Sequence, residues 1–133
     1  MANLVVDASV TVSWCFPDER TEFSSQVLQA VCQRKSFAPR LWAYEMRNCI
    51  LLGLRRGRIT REDAKAYLDS LGKLDIQLTD PVSYEDVFHL ADACGLTFYD
   101  AAYLDLALRE GAILATLDDR LRAAAEKLGV GLF

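Results

Sequence analysis

Four acids in separate segments of this sequence stand where chemistry can be done: Asp7, Glu45, Asp100 and Asp118. Asp7 follows the apolar run Leu4-Val5-Val6, and Asp118 lies two residues beyond a strand-like stretch ending at Thr116. Ligands of an open parallel sheet bind beyond the carboxyl ends of its strands. Asp100 falls in the first turn of a helix that Thr97 can open. Glu45 falls in the first or second turn of the helix after Pro39. Carboxylates gathered on one edge repel one another unless cations neutralise them, and hard oxygen donors select Mg2+ or Mn2+. Each acid also has a plain structural use. Asp7 can cap the first helix, Asp100 can complement its helix dipole, and Asp118 or Asp119 can cap the last helix. Glu45 can pair with a nearby base. Spacing alone leaves both readings open.

His89 is the only histidine. Ribonuclease chemistry built on two histidines is therefore impossible within one chain, and any Ser-His-Asp or Cys-His catalysis must pass through this residue. It sits in the amphipathic pattern 84–91 and reads as a helical surface histidine. Cys15, Cys32, Cys49 and Cys94 form no C-x-x-C pair. Paired zinc ligands are absent, and a disulfide scaffold belongs to small secreted chains. The cysteines read as free thiols packed as small apolar groups.

The chain has 133 residues, 52% of them hydrophobic and 26% charged, which is enough for one domain (1–133) with a core. No apolar run approaches the ~18–20 residues of a membrane span. The opening Met1-Ala2-Asn3-Leu4-Val5-Val6-Asp7 lacks a basic leader and meets an acid early. A soluble, cytoplasmic protein with no membrane partner is expected. The net charge of −4 argues against a nucleic-acid partner, yet its distribution does not. Residues 34–73 hold ten basic and four acidic side chains, a local net of +6. Such a segment attracts a polyanion or simply faces water.

The elements that must position the acids follow from periodicity and capping. Leu4–Val6 reads as a buried strand, with a helix from Ala8 to Phe16 broken by Pro17. Thr21 caps a helix to about Arg34, Ser36–Ala38 is a short strand, and Leu41 to Arg56 is a long helix stopped by Gly57. Thr60 caps Arg61–Leu71, and Ile76–Thr79 is a third strand. Ser83 opens the helix of His89, which ends at Gly95, and Thr97 opens Phe98–Arg109, stopped by Gly111. Ala112–Thr116 is a strand, Asp119–Leu128 a helix, and Gly129–Phe133 a last short strand. Strands alternating with helices predict an α/β fold, a short and mainly parallel central sheet flanked by about seven helices.

Val5-Val6-Asp7-Ala8-Ser9-Val10 resembles the opening of PIN-domain proteins, and Trp14 fits the VapC-like branch. The segment 39–48, in which Asn48 follows Glu45 by three residues, is similar to the second motif of that family. Tyr99–Ala107 is similar to the third, and Leu114–Leu121 to the fourth. The resemblance runs in order along nearly the whole chain. It implies a PIN-like fold and a Mg2+-dependent (or Mn2+-dependent) endoribonuclease, the toxin of a type II toxin–antitoxin pair. It carries Asp7, Glu45, Asp100 and Asp118 over as the metal-holding catalytic quartet. Asn48 and Thr116 carry over as polar support, and Ser9 as a contact to substrate or water. The doublet Asp118-Asp119 is ambiguous, and Asp118 is preferred because it follows Thr116 by two. RNA would be the substrate, with Arg55, Arg56 and Arg58 of the basic segment on its backbone. The metal would offset part of the negative net charge.

The resemblance also implies a homodimer and a cognate antitoxin. Independently, the helix Leu41–Arg56 has so little polar face that it must be buried on more than one side, which points to an interface. The alternative is a catalytically silent PIN-like binding module acting through a protein partner. A haloacid-dehalogenase-type phosphatase needs a second aspartate where Ser9 stands. A response-regulator receiver needs an acidic pair near the first strand, where Ala8 follows Asp7. Both fit poorly.

Overall fold

The computed structural model describes residues 1–133. Four strands, β1 (Leu4–Val6), β2 (Ser36–Pro39), β3 (Ile76–Thr79) and β4 (Ile113–Ala115), lie in the order β3-β2-β1-β4. Every pairing is parallel, with Val5 opposite both Phe37 and Leu114. The strand β1 is buried throughout, as expected of a parallel strand covered on both faces. Seven helices connect and cover the sheet: α1 (Ala8–Thr11), α2 (Glu22–Gln33), α3 (Leu41–Arg55), α4 (Arg61–Lys73), α5 (Tyr84–Cys94), α6 (Phe98–Glu110) and α7 (Asp119–Lys127). The main core joins β1 and β4 to α2, α3, α6 and α7. A small satellite of Val87, Ala91, Ala101 and Ala102 seals α5 onto α6.

The helix starts follow hydrogen-bonding logic. Thr21 and Thr60 accept from the backbone of Ser24 and Asp63, whose side chains reach back to close capping boxes. Ser83 and Thr97 accept from Asp86 and Asp100 in the same way. Gly95 and Gly111 end α5 and α6 with φ of 64° and 56°, a region that costs a side-chain-bearing residue strain.

Two expectations are corrected. The helix foreseen over 8–16 is one α turn followed by a 3-10 turn, Val12–Cys15. The Ser13 hydroxyl donates to the Val10 carbonyl at 2.7 Å, competing with the helical ladder, and Phe16 is extended before Pro17. The strand foreseen over 129–133 is a single parallel bridge between Leu132 and Leu114, since Gly129 at φ 75° turns the chain just before it. The apolar helix α3, expected to be buried on more than one side, is covered largely by the domain itself. Trp42, Met46, Ile50 and Gly53 are buried, and Leu41, Ala43, Cys49 and Leu54 pack against the core. Among its large apolar residues only Tyr44 and Leu51 are exposed. No helix is long and apolar enough to cross a membrane.

Candidate active site

Asp7 begins where β1 ends. Its backbone N–H continues the β1–β4 ladder to the Ala115 carbonyl, and its own carbonyl accepts from Val10 and Thr11 as α1 starts. It thus occupies the N-cap position, yet its side chain makes no cap hydrogen bond. Oδ2 instead accepts from the Ser9 hydroxyl at 2.7 Å and from the Thr116 hydroxyl at 2.7 Å. The carboxylate is only 5% exposed in the fold and Thr116 is wholly buried. The Ser9 and Thr116 hydroxyls in turn accept from the backbone N–H groups of Leu117 and Asp118. Ser9 and Thr116 therefore tie the ends of β1 and β4 to one carboxylate. Oδ1 is left out of that net.

Glu45 stands in the second turn of α3. Its Oε1 accepts from the Tyr103 hydroxyl at 2.7 Å. Burial first of all pushes the Glu45 carboxyl above the usual range; the Tyr103 hydrogen bond pulls it down, and the negative Asp7 and Asp100 push it up again. Asp100, in the first turn of α6, is likewise raised, by burial first and then by Asp118 and Asp7, against the pull of a hydrogen bond with Thr97. Each carboxylate of the set is coupled to at least one other. Of the doublet, Asp118 acts on Asp100, and it is partly buried where Asp119 is exposed. Asn48, one turn after Glu45, is exposed.

The quartet is thus gathered on one edge without forming a closed coordination shell. No three histidine, cysteine or carboxylate side chains stand close enough together to hold a metal ion in this arrangement. Two of the acids are also bound within the protein: Asp118 Oδ1 accepts from the Leu121 N–H as the N-cap of α7, at 2.9 Å, and Glu45 Oε1 accepts from Tyr103. The capping role foreseen for Asp118 is therefore real. By donor chemistry the set still fits a hard divalent cation, because it offers carboxylate oxygens whose negative charge presses on Glu45 and Asp100.

Tyr103 escaped the sequence reading although it lies inside the third motif. Its spacing was the signal: it follows Asp100 by three residues and so shares a helix face with it. The basic candidates divide. Arg58 donates to both Asp18 and Glu19 and stacks 4.3 Å over the Phe16 ring. Its charge is answered within the protein. Arg55 and Arg56 are exposed and form no ion pair. His89 is exposed on α5. The cysteines are free, and burial pushes the Cys15 thiol up to about 11.

The sheet carries its acids at the carboxyl edge, and the PIN-domain family model matches residues 4–127. The chain belongs to the PIN-domain family. Ribonuclease VapC3 of Pyrobaculum aerophilum is 37% identical over 124 residues, covering 90% of this chain and 92% of that protein. The crystal structure of PAE2754 from the same organism superposes with a TM-score of 0.72 at 26% identity, over 92% of this chain and 79% of that one. FitAcB from Neisseria gonorrhoeae shares the fold, with a TM-score of 0.67 at 18% identity over 98% of this chain and 96% of that one.

Proposed function

We propose that this chain is a Mg2+-dependent endoribonuclease, the toxin of a type II toxin–antitoxin pair, acting in the cytoplasm with a cognate antitoxin as partner. The observation that carries the reading is the mutually repelling set of Asp7, Glu45, Asp100 and Asp118 at the sheet edge. A fold does not retain such repulsion for stability; a cation relieves it. The 37% identity to a protein named Ribonuclease VapC3 supports RNA as the substrate.

Asp7, Glu45, Asp100 and Asp118 would hold Mg2+, with Mn2+ as a substitute. Bound there, such a cation supplies the charge that activates water and offsets the negative charge growing at phosphorus. The protein's own part is orientation. Ser9 and Thr116 fix Asp7 through one oxygen and leave the other free. The first turn of α6 carries Asp100 on a rigid element. Asp119 and Asn48 lie at the rim, where they meet substrate rather than metal. Arg55 follows Glu45 by ten residues along α3, about 15 Å at ~1.5 Å per residue. Arg55 and Arg56 therefore hold backbone phosphates a few nucleotides away from the bond cut. The chain pairs with a copy of itself through exposed apolar surface.

The test is cleavage of a mixed RNA substrate with Mg2+ and with chelator, using wild type and Asp100→Asn. Cleavage by wild type only, and only with Mg2+, is expected. Cleavage that survives the chelator or the substitution overturns the metal mechanism. Absence of both cleavage and Mn2+ binding favours the silent binding module.

A further inference from the structure

The phenol of Tyr103 joins two helices that carry site acids, α6 and α3. Tyr103 stands on α6, one turn after Asp100. Its hydroxyl donates to Glu45 Oε1 on α3 at 2.7 Å. The ring is 1% exposed, so it cannot touch an RNA strand. Burial of a tyrosine hydroxyl is favourable only when the group finds partners. Here the partner, Glu45, belongs to the acidic edge, and a phenylalanine would fill the same space without the bond. Glu45 itself has a long, flexible side chain, half-buried between the exposed Tyr44 and the buried Met46. Nothing else in the structure bonds its carboxylate.

We propose that Tyr103 is a positioning residue. It ties one oxygen of Glu45 to α6, the helix that carries Asp100, and leaves the other oxygen to hold a divalent cation together with Asp7 and Asp100. The inference rests on the metal reading above and deepens it. Groups that orient a metal ligand are worth roughly 10–100-fold in metal affinity. Tyr103 acts through Glu45 and through no other ligand, and that dependence distinguishes positioning from general support of the fold.

The experiment is Mn2+ binding to the whole chain, followed by electron paramagnetic resonance, in a cycle of wild type, Tyr103→Phe, Glu45→Ala and the double variant. Tyr103→Phe is expected to weaken Mn2+ by roughly 10-fold or more. In the Glu45→Ala background the same substitution is expected to change Mn2+ affinity by less than about twofold, since the group it positions is gone. Unchanged affinity in Tyr103→Phe, or an equal loss in both backgrounds, overturns the positioning role while leaving the metal reading intact. Wild type that binds no Mn2+ overturns both. A second measurement does not depend on the folding of the phenylalanine variant. With 3-fluorotyrosine at 103, the fluorine resonance is expected to move on adding Mn2+'s diamagnetic counterpart Mg2+, and to stay fixed in Glu45→Ala. A resonance that ignores Mg2+, or moves alike in both proteins, overturns the proposal.

Discussion

The Thr116 hydroxyl donates to Asp7 Oδ2 at 2.7 Å although 109 positions separate the two residues. Parallel register makes the contact. Val6 pairs with Ala115, so the next residue of each strand leaves the sheet at the same edge. A buried threonine with no polar neighbour would destabilise the fold. Here it donates to Asp7 and accepts from the Asp118 N–H, which orients the acid at one strand end and the loop carrying the acid at the other.

Thr116→Val keeps the shape and removes both bonds. The Asp118 N–H loses its acceptor, a loss of about 1–3 kcal/mol in stability. Asp7 keeps only Ser9, and Mg2+-supported cleavage is expected to fall roughly 10–100-fold. Thr116→Ser restores most of it. Equal activity in the valine and serine variants would show that the hydroxyl has no part in the site.

Asp100→Asn tests function against stability. The substitution removes a ligand charge, and RNA cleavage is expected to be lost. It also removes a burial-raised carboxylate that faces Asp118 and Asp7. Without metal, the variant is therefore expected to melt a few degrees above wild type at neutral pH. Asp7→Asn loses activity in the same way but gains less stability, because it disturbs the two hydroxyl bonds that Asp7 Oδ2 accepts from Ser9 and Thr116. Melting curves with chelator present check the order.

The raised Glu45 and Asp100 also set a pH dependence. Between the ordinary carboxylate range near 4 and their higher folded values, the native state holds protons the unfolded chain has released. Stability contributed by these two groups is therefore full at low pH and lost as pH rises through that window. Wild type minus the Glu45→Gln, Asp100→Asn double variant is the measurement that isolates them. The variant's thermal advantage is expected to grow with pH and to vanish with millimolar Mg2+, which binds only wild type.

Much of this site was legible because strand ends and helix starts carry sequence marks. Asp7 after Leu4-Val5-Val6 and Asp100 after Thr97 needed only periodicity and capping to be placed. Whether Asp7 caps its helix or faces the site could not be read that way, because the answer depends on Thr116, brought beside it only by the β1–β4 pairing. Tyr103 was hidden for a similar reason. A tyrosine in an apolar helix reads as core, and its partner Glu45 lies 58 positions away. The 3-10 turn at Val12–Cys15 was hidden by a local competition, the Ser13 hydroxyl on the Val10 carbonyl, that an apolar pattern does not encode.

Arg55 and Arg56 differ from Arg58 in a measurable way. Replacing both by glutamine is expected to weaken RNA binding and to flatten its salt dependence by about 1.4, since each single-strand phosphate contact contributes ~0.7 to the slope. Arg58→Gln loses its bonds to Asp18 and Glu19 and its stacking on Phe16. It is expected to lower the melting temperature and leave the salt slope alone. A salt slope that responds to Arg58 and not to the other pair would reverse the assignment.

The dimer is better sought at α5 and α6 than along α3, whose apolar residues mostly face the core. Val82, Tyr84, Phe88, Phe98 and Tyr99 are all exposed, and Tyr84, Phe98 and Tyr99 border one cleft of about 210 Å³. Exposed aromatic residues gathered round one cleft are of the kind that interfaces cover. Its position beside Asp100 would bring two acidic edges near each other across the pair. Light scattering at micromolar concentration is expected to give twice the 14.9 kDa chain mass. Phe88→Asp with Tyr84→Asp is expected to give the single-chain mass with the fold retained, because both rings are exposed and leave the core untouched. A monomer in wild type removes the dimer; a dimer that survives both aspartates moves the interface to Tyr44 and Leu51 of α3.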